Sequence, residues 1–359
     1  MNKVPILIAF LVAVVSVFQV QSGRIGLDDI FSAGGFDIFI PTFESDPYKG
    51  DLKVMAFGDM MMGRYVRTLM DRNGMEYPFE NLVMPDFFDY ADVRHANLEG
   101  PLKGEGRSGG TSTVFQFNED IAPYLKKHDF DVVSISNNHA VDVGWDSRDT
   151  TIAALDAAGV GWCGHPTEAD PASIYYGAEA GSTYAFVCLH DATINLDYDA
   201  AVNLIEYIDG DVDYVIVSIH WGYEYQHKPS YEKQVEHARS MVDAGADFII
   251  GHHPHVVQSF EVYNDRFIFY SLGNFIFDQY WSTETQEQLA IGIVFDDTEE
   301  DMETEVHLYP MKSEKSQVRM MEGEELSSWY EEFISYSGYP EEAQEGIRSG
   351  FVENSMFDM

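Results

Sequence analysis

The chain has 359 residues, of which 45% are hydrophobic, and its 61 acidic and 21 basic side chains give a formal net charge of −40. A chain of this length and apolar content can bury a sizeable core, and we expect one large domain. Its strongly negative charge repels nucleic acid and anionic lipid surfaces, so no nucleic-acid partner is expected.

The first 22 residues have the pattern of a secretory signal. Lys3 precedes an apolar run from residue 6 to residue 18, and Val20 and Ser22 occupy small-residue cleavage positions. The run is short for a membrane span, and an uncleaved N-terminal anchor is the alternative. Residues 23–51 have no clear periodicity and are predicted to be a lead-in segment. We therefore expect an extracytoplasmic protein, either secreted or held at the cell envelope.

Three strands predicted in the first part of the chain each end in polar side chains. They cover residues 52–57, 92–98 and 130–136, and helices are predicted between them at 65–73 and 120–128. The polar side chains that follow the strands are Asp59, Asn97, Glu99, Asn138 and His139. These are metal-ligating or proton-transferring types, although the pair Asn137 and Asn138 also suits a simple turn.

The middle of the chain repeats this pattern with histidines. Strands predicted at 160–163, 183–189, 213–219 and 247–250 alternate with helices at 144–159 and 229–244, which favours a layered α/β fold. His220 directly follows one of these strands. His252, His253 and His255 lie within residues 251–255, and this density indicates a metal or acid/base site, with packed core histidines as the alternative.

The last part of the chain is predicted to end in a strand pair and a helix. After a hairpin at residues 260–270, an antiparallel pair at 288–295 and 303–310 is expected to extend a second sheet. A surface helix is predicted at 324–335, and the chain from Tyr336 onward is expected to be marginally ordered.

The chain has two cysteines, Cys163 and Cys188. Both lie in apolar, strand-like surroundings, where we expect buried free thiols rather than a bridge. Two cysteines are also too few for a disulfide framework.

The polar strand ends are expected to form one site, because strand ends on one edge of a sheet converge. Carboxylate, carboxamide and imidazole groups together suit two divalent ions such as Mn, Fe or Zn, which activate water and bind substrate oxygens. Calcium alone does not call for so many histidines. His139 can point away from the ions and act in proton transfer, since consecutive side chains leave a strand in different directions.

Six motifs occur in order between residues 52 and 296: GDMMMGR at 58–64, ANLEGP at 96–101, SNNHA at 136–140, SIHWG at 218–222, GHHPH at 251–255 and YSLGNF at 270–275. Together they resemble the CapA family of capsule (poly-γ-glutamate) synthesis proteins. That family is similar to the calcineurin-like metallophosphoesterases, which implies a four-layer αββα sandwich with two metal ions at one sheet edge. On this resemblance, the family domain covers residues 52–310, and residues 311–359 form an acidic C-terminal extension.

The resemblance also implies individual roles. Asp59 and His255 would bind the first metal, Glu99 would bridge, and Asn138, His220 and His253 would bind the second metal. His139 would be the general acid that protonates the leaving group. The phosphoesterase pattern has a histidine where this chain has Met61 and an aspartate where it has Glu99, and His252 and Asn97 are candidate substitutes. The residues expected to bind substrate are Arg64, Asn97, His252 and Asn274.

The leading functional expectation is an exported, metal-dependent hydrolase or transferase that acts on an anionic capsule polymer such as poly-γ-glutamate. One alternative is a non-catalytic accessory that binds and exports the polymer within a membrane synthase complex. A second alternative keeps the catalyst but changes the substrate to a small phosphate ester, for which Arg64 and His95 would supply local cations.

Overall fold

The computed structural model describes residues 51–83, 86–104, 113–296 and 303–357. All of these residues belong to one compact unit of the chain, Phe43–Met359. The predicted signal and all but the last residue of the lead-in segment lie outside the described residues. Within the described part of the chain, no helix has the length and apolar character needed to span a membrane.

The first sheet begins with four parallel strands. In spatial order these are β1 (Leu52–Met60), β2 (Val93–Leu98), β3 (Val132–Ser134) and β4 (Gly161–Cys163). The central residues of β1 and β3 are apolar and buried, as expected for parallel strands covered on both faces. Because these strands run the same way, their carboxyl ends meet at one edge of the sheet.

The next six strands form a second sheet. They are β5 (Ile174–Glu179), β6 (Ser182–His190), β7 (Tyr214–His220), β8 (Phe248–His252), β9 (Phe260–Tyr263) and β10 (Arg266–Phe269). Their order is β5-β6-β7-β8-β10-β9, with β6, β7, β8 and β10 parallel and antiparallel strands at both edges.

The chain then returns to the first sheet with β11 (Asn274–Ile276), β12 (Glu287–Asp296), β13 (Glu303–Glu314), β14 (Gln317–Met320) and β15 (Phe351–Glu353). The first sheet has the order β14-β13-β12-β1-β2-β3-β4, with β11 beside β1 and β15 beside β13. The predicted late antiparallel pair is therefore present as β12 and β13. The expectation that this pair extends the second sheet is wrong, because β12 pairs with β1 of the first sheet, where Leu52 lies opposite Phe295.

Eight α-helices are described in these parts of the chain. They are α1 (Arg64–Asn73), α2 (Asp86–Tyr90), α3 (Ile121–Lys127), α4 (Asp146–Ala158), α5 (Tyr198–Ile208), α6 (Glu236–Asp243), α7 (Gly323–Ser335) and α8 (Glu341–Ser349). Gly159 ends α4 in the left-handed conformation at φ 71°, and the Asp197 carboxylate caps the first turn of α5. A π-helical turn, Tyr231–Val235, precedes α6 and shortens the predicted helix.

The two sheets stack face to face between helices. Alternate residues of β1 show the layers: Val54 points into the cluster shared with Ile216 of the second sheet, whereas Met55 packs with Leu155 of α4. The other face of the second sheet packs against α5 and α6. Val217 of β7, for example, belongs to the same buried cluster as Met241 of α6. The expected α/β fold, a four-layer αββα sandwich, is confirmed.

The C-terminal residues belong to the core. Tyr339 stacks on Phe260, and its hydroxyl accepts a hydrogen bond from the Phe260 amide at 3.0 Å. Ile347 of α8 is fully buried, and β15 pairs with β13. The expectation of marginal order after Tyr336 is wrong, because apolar side chains of this polar segment, such as Tyr339, Ile347 and Val352, pack in the central core. The strand β13 also runs through residue 310, where the expected extension begins.

The two cysteines form a disulfide bond, so the expectation of free thiols is wrong. Cys163 ends β4 in the first sheet and Cys188 lies in β6 of the second, and both are buried between the sheets. The sequence does not reveal that these two strands face each other, because that contact depends on how the sheets stack.

Candidate metal centre

Strand register brings the predicted site residues together. In the first sheet, Asp59 of β1 pairs with Asn97 of β2 on one side and with Asn274 of β11 on the other. In the second sheet, His220 of β7 pairs with His252 of β8. The two edges meet, since the Asn97 side-chain nitrogen lies 3.1 Å from Nδ1 of His220. The site therefore spans the carboxyl ends of both sheets.

Asp59 lies at the centre of this site and is fully buried. Its carboxylate accepts hydrogen bonds from the Asn97 side chain at 2.7 Å and from the His253 amide at 3.1 Å. Although burial alone raises the pKa of Asp59, contacts from His252 and His255 and the nearby His220 hold it well below its usual value. Asp59 is thus an ionised carboxylate among imidazoles, as a metal ligand must be.

Asn138, His220 and His253 converge on one point. His220 Nε2 lies 2.8 Å from the Asn138 carbonyl oxygen and 3.1 Å from His253 Nδ1. Burial and the neighbouring His253 lower the pKa of His220 well below its usual value, and burial followed by the charge of His255 lowers the pKa of His253 to about 3. Both rings are therefore neutral at pH 7 and can offer lone pairs to a cation.

Glu99 is a buried carboxylate without hydrogen-bond partners among the described residues. Its Oε1 lies 3.7 Å from Nε2 of His139 and 3.9 Å from Nε2 of His255. Burial, and then the charges of Asp59 and Glu224, raise the pKa of Glu99 well above its usual value. Burying a carboxylate without partners is costly, so the position calls for a cation or a proton.

His139 is held by its neighbours and faces Glu99. Its Nδ1 lies 2.7 Å from an oxygen of Asp142, which also accepts a hydrogen bond from the Phe115 amide. The Phe115 ring stacks on the imidazole, with ring centres 3.7 Å apart. The guanidinium of Arg64 lies 4.8 Å from the centre of the Phe115 ring. Asp142 therefore leaves Nε2 as the free nitrogen of His139.

The residues expected to bind substrate are differently placed. The Asn97 side chain donates a hydrogen bond to Asp59, and the side-chain oxygen of Asn274 lies 3.0 Å from Nδ1 of His255. Both asparagines therefore position proposed ligands. Arg64 is buried in an ion pair with Asp278. The two ring nitrogens of buried His252 make no hydrogen bond within the described chain, and Nδ1 lies 3.4 Å from Asp59 Oδ1, which suits a substitute ligand.

Two positions singled out in the sequence lie away from ligand roles. Met61 is buried, and its sulfur accepts the Gly63 amide at 3.3 Å. His95 is buried against Ser218, at 2.8 Å between Nε2 and Oγ, and burial lowers its pKa to about 3. His95 is therefore neutral and does not supply the cation that the phosphate-ester alternative requires.

The backbone is strained where the histidines lie. His253 and His255 have positive φ angles of 96° and 58°, which non-glycine residues rarely adopt. Such conformations persist where surrounding contacts impose them, and they concentrate at functional sites. In this segment the His255 imidazole faces Asp59 and Glu99, and the His253 imidazole faces His220.

The structure adds residues that sequence reasoning missed. Asp142 orients His139, and its position three residues later was the available signal. Glu224, four residues after His220, has its carboxylate 3.9 Å from His255 Nε2. His190 ends β6 beside His220, in register with it, but its two ring nitrogens contact Pro166 and Thr193.

The donor set fits divalent metal ions. Ligand atoms of Asp59, Glu99 and His220 lie within 4.8 Å of one another, and so do those of Glu224, His253 and His255. Neutral imidazoles with carboxylates are the groups that Zn, Mn and Fe accept, and the Glu99 carboxylate, without a hydrogen-bond partner among the described residues, marks a position that calls for a cation or a proton. The roles predicted for single residues stay predictions.

Comparisons with known proteins give a family. Residues 53–279 match the family described as bacterial capsule synthesis protein PGA_cap. The capsule biosynthesis protein CapA of Bacillus anthracis is 36% identical over 262 residues, which cover 67% of this chain and 63% of that protein. The PGA biosynthesis protein CapA of Bacillus subtilis strain 168 is 32% identical over 265 residues, 68% of both chains.

Among solved structures, a hypothetical protein from Thermus thermophilus aligns with a TM-score of 0.46 and 17% identity. The alignment covers 73% of this chain and 99% of that one.

Proposed function

Because the chain belongs to the bacterial capsule synthesis family PGA_cap, we propose that it is an exported, metal-dependent hydrolase or transferase of a capsule polymer. The chain spans 63% of the length of its Bacillus anthracis relative, so its activity, substrate and partners are part of this proposal. The names of the two Bacillus relatives refer to capsule and PGA biosynthesis, which supports an anionic polymer such as poly-γ-glutamate as substrate.

The observation that carries the proposal is the buried carboxylate of Glu99, which has no hydrogen-bond partner among the described residues, beside Nε2 of His139. Around it lie the ionised Asp59 and the neutral imidazoles of His220 and His253. Two divalent ions held by Asp59, Glu99, Asn138, His220, His253 and His255 would activate a water and polarise the scissile group of the substrate. No core packing requirement explains so many polar groups facing one point.

The chain's own residues supply the proton and its orientation. Asp142 holds His139 through Nδ1 and leaves Nε2 directed toward Glu99. His139 would donate its proton to the leaving group of the polymer as the bond breaks. Phe115 stacks on one face of the imidazole, which limits its rotation and shields it from water.

Export is the second part of the proposal. The signal-like residues 1–22 support it, and so does the disulfide bond between Cys163 and Cys188, because such bonds persist mainly in oxidising compartments. We expect mature protein that begins near Gly23 in an extracellular or cell-wall fraction. An intact N-terminus in the membrane fraction would point instead to the anchored alternative.

Metal analysis of one variant tests the metal centre. His253→Ala should lose at least one equivalent of Mn, Fe or Zn, whereas His307→Ala should bind as the wild type does. His307 lies on β13 against Phe87 and Phe351, in contact with none of the proposed ligands. Full metal retention in His253→Ala would remove His253 from the ligand set.

An activity screen tests the substrate. Purified protein with added Mn should cleave or transfer γ-glutamyl polymer and leave aryl phosphates intact. Turnover of the phosphate esters alone, dependent on His139, would overturn the polymer assignment. A non-catalytic accessory role would be indicated if a metal-free variant still restored capsule production to cells that lack the protein.

A further inference from the structure

Backbone hydrogen bonds connect the loop after β7 to the histidine segment at the end of β8. The Trp221 amide donates to the His252 carbonyl at 3.1 Å, and the Tyr225 amide donates to the Pro254 carbonyl at 2.8 Å. The Trp221 side chain donates to the Tyr270 carbonyl at 3.0 Å. Tyr225 has a positive φ of 61°, so the chain turns sharply just after Glu224.

These hydrogen bonds place the Glu224 carboxylate near the imidazoles of His253 and His255. Oε1 of Glu224 lies 3.9 Å from Nε2 of His255, and ligand atoms of Glu224, His253 and His255 all lie within 4.8 Å of one another. The Glu224 side chain is 47% exposed, unlike the buried Asp59 and Glu99. It therefore approaches the site from the solvent side.

We propose that Glu224 is a metal ligand that completes a two-histidine, one-carboxylate site with His253 and His255, which places on one ion two histidines that the family resemblance assigns to different ions. This inference rests on the proposed function, whose ligand set does not include Glu224. Two imidazoles and a carboxylate bind Zn in many hydrolytic enzymes and leave a further coordination position for water or substrate. Fe(II) and Mn accept the same donors.

The buried neighbour of Glu224 supports the same conclusion. Oε1 of Glu99 lies 3.9 Å from the same His255 nitrogen and has no hydrogen-bond partner among the described residues. Oδ2 of Asp59 lies 3.5 Å from the other ring nitrogen of His255, so three carboxylates surround this imidazole. A third carboxylate at this position is unfavourable unless a cation lies between the acidic groups.

Glu224 also accounts for a missing ligand. The phosphoesterase pattern has a histidine where this chain has Met61, whose sulfur accepts the Gly63 amide. A carboxylate from the loop after β7 restores the number of protein donors without a histidine in that place. His252, beside Asp59, lies on the buried side of the site and addresses a different position.

The experiment compares Glu224→Gln with Glu232→Gln. Both variants remove one negative charge from an exposed glutamate, but Glu232 lies on the π-helical turn before α6, outside the cluster. Metal content is measured by plasma mass spectrometry after loading with Zn or Mn, and affinity by calorimetry. We expect Glu224→Gln to lose one equivalent of metal or to bind it at least tenfold more weakly. Glu232→Gln should match the wild type in metal content and affinity, and both variants should keep the wild-type melting temperature.

The two proposals fail in different ways. Equal stoichiometry and affinity in wild type and Glu224→Gln would overturn the role of Glu224 and leave the metal centre intact. If the wild type itself bound neither Zn nor Mn, both the proposed function and this inference would be wrong.

Discussion

Nε2 of His139 lies 3.7 Å from Oε1 of Glu99, while Nδ1 of the same ring lies 2.7 Å from the carboxylate of Asp142. One imidazole thus joins a buried, unpartnered carboxylate to a partly exposed one. Because Asp142 engages Nδ1, Nε2 is the nitrogen that faces the site, and it would deliver the proton if His139 acts as the proposed general acid.

Replacement of His139 by glutamine should separate chemistry from metal binding. A general acid contributes about 10²–10⁴-fold to turnover, so His139→Gln should lower the turnover number by about that factor. Its metal content and melting temperature should stay near wild type, since the proposed ligand set does not include His139. All three quantities are measured on one preparation. Lower stability with unchanged turnover per folded molecule would make His139 a packing residue.

The ion pair of Arg64 and Asp278 should matter for stability. Both side chains are buried, with 9% and 1% exposed, and Asp278 also accepts the Tyr65 amide at 3.0 Å. Arg64→Met leaves the Asp278 charge buried without its cation, which costs about 3–5 kcal/mol of unfolding free energy. The double variant Arg64→Met/Asp278→Asn should recover part of that loss in urea unfolding. If Arg64→Met had nearly the wild-type unfolding free energy, Arg64 would not be needed for stability, and the expected substrate role would be the better explanation of its position.

The disulfide bond should stabilise the stacking of the two sheets. It joins residues 25 positions apart, and closing a loop of that length contributes about 3 kcal/mol. Reduction of the wild type should lower its urea midpoint. The Cys163→Ala/Cys188→Ala variant should start from a lower midpoint and be unaffected by the reductant. A response of that variant to the reductant would show that the effect does not come from this bond.

Asp247 should make stability depend on pH. Burial raises its pKa to about 6, against hydrogen bonding by the Val215 amide and attraction by Arg266. Because the folded pKa lies above the unfolded one, the contribution of Asp247 is fully present below about pH 4 and is lost as the pH rises through 6.

The control for this prediction is Asp247→Asn, which keeps an acceptor for the Val215 amide but does not titrate. Many other acids of this chain titrate in the same range, so the informative quantity is the difference between the two proteins. Between pH 4 and 6.5 the unfolding free energy of the wild type should fall by roughly 2 kcal/mol more than that of the variant. Parallel curves would contradict the raised pKa of Asp247.

Much of the site could be predicted because strand ends are local features of a sequence. The predicted strands ended at Asp59, Asn97, His220 and the segment of His252, and parallel strands of one sheet place such ends at one edge. Side-chain alternation along a strand also places Val54 and Met55 on opposite faces of the first sheet. Both conclusions depend only on neighbouring residues.

Only the tertiary structure decided which distant segments meet. Cys163 and Cys188 pair because β4 and β6 lie in sheets that stack on each other, and β12 joins β1 rather than the second sheet. Glu224 reaches His255 through backbone hydrogen bonds between two loops. Such contacts depend on how whole layers pack, since burial of apolar faces is non-directional and does not specify partners within a short stretch of sequence.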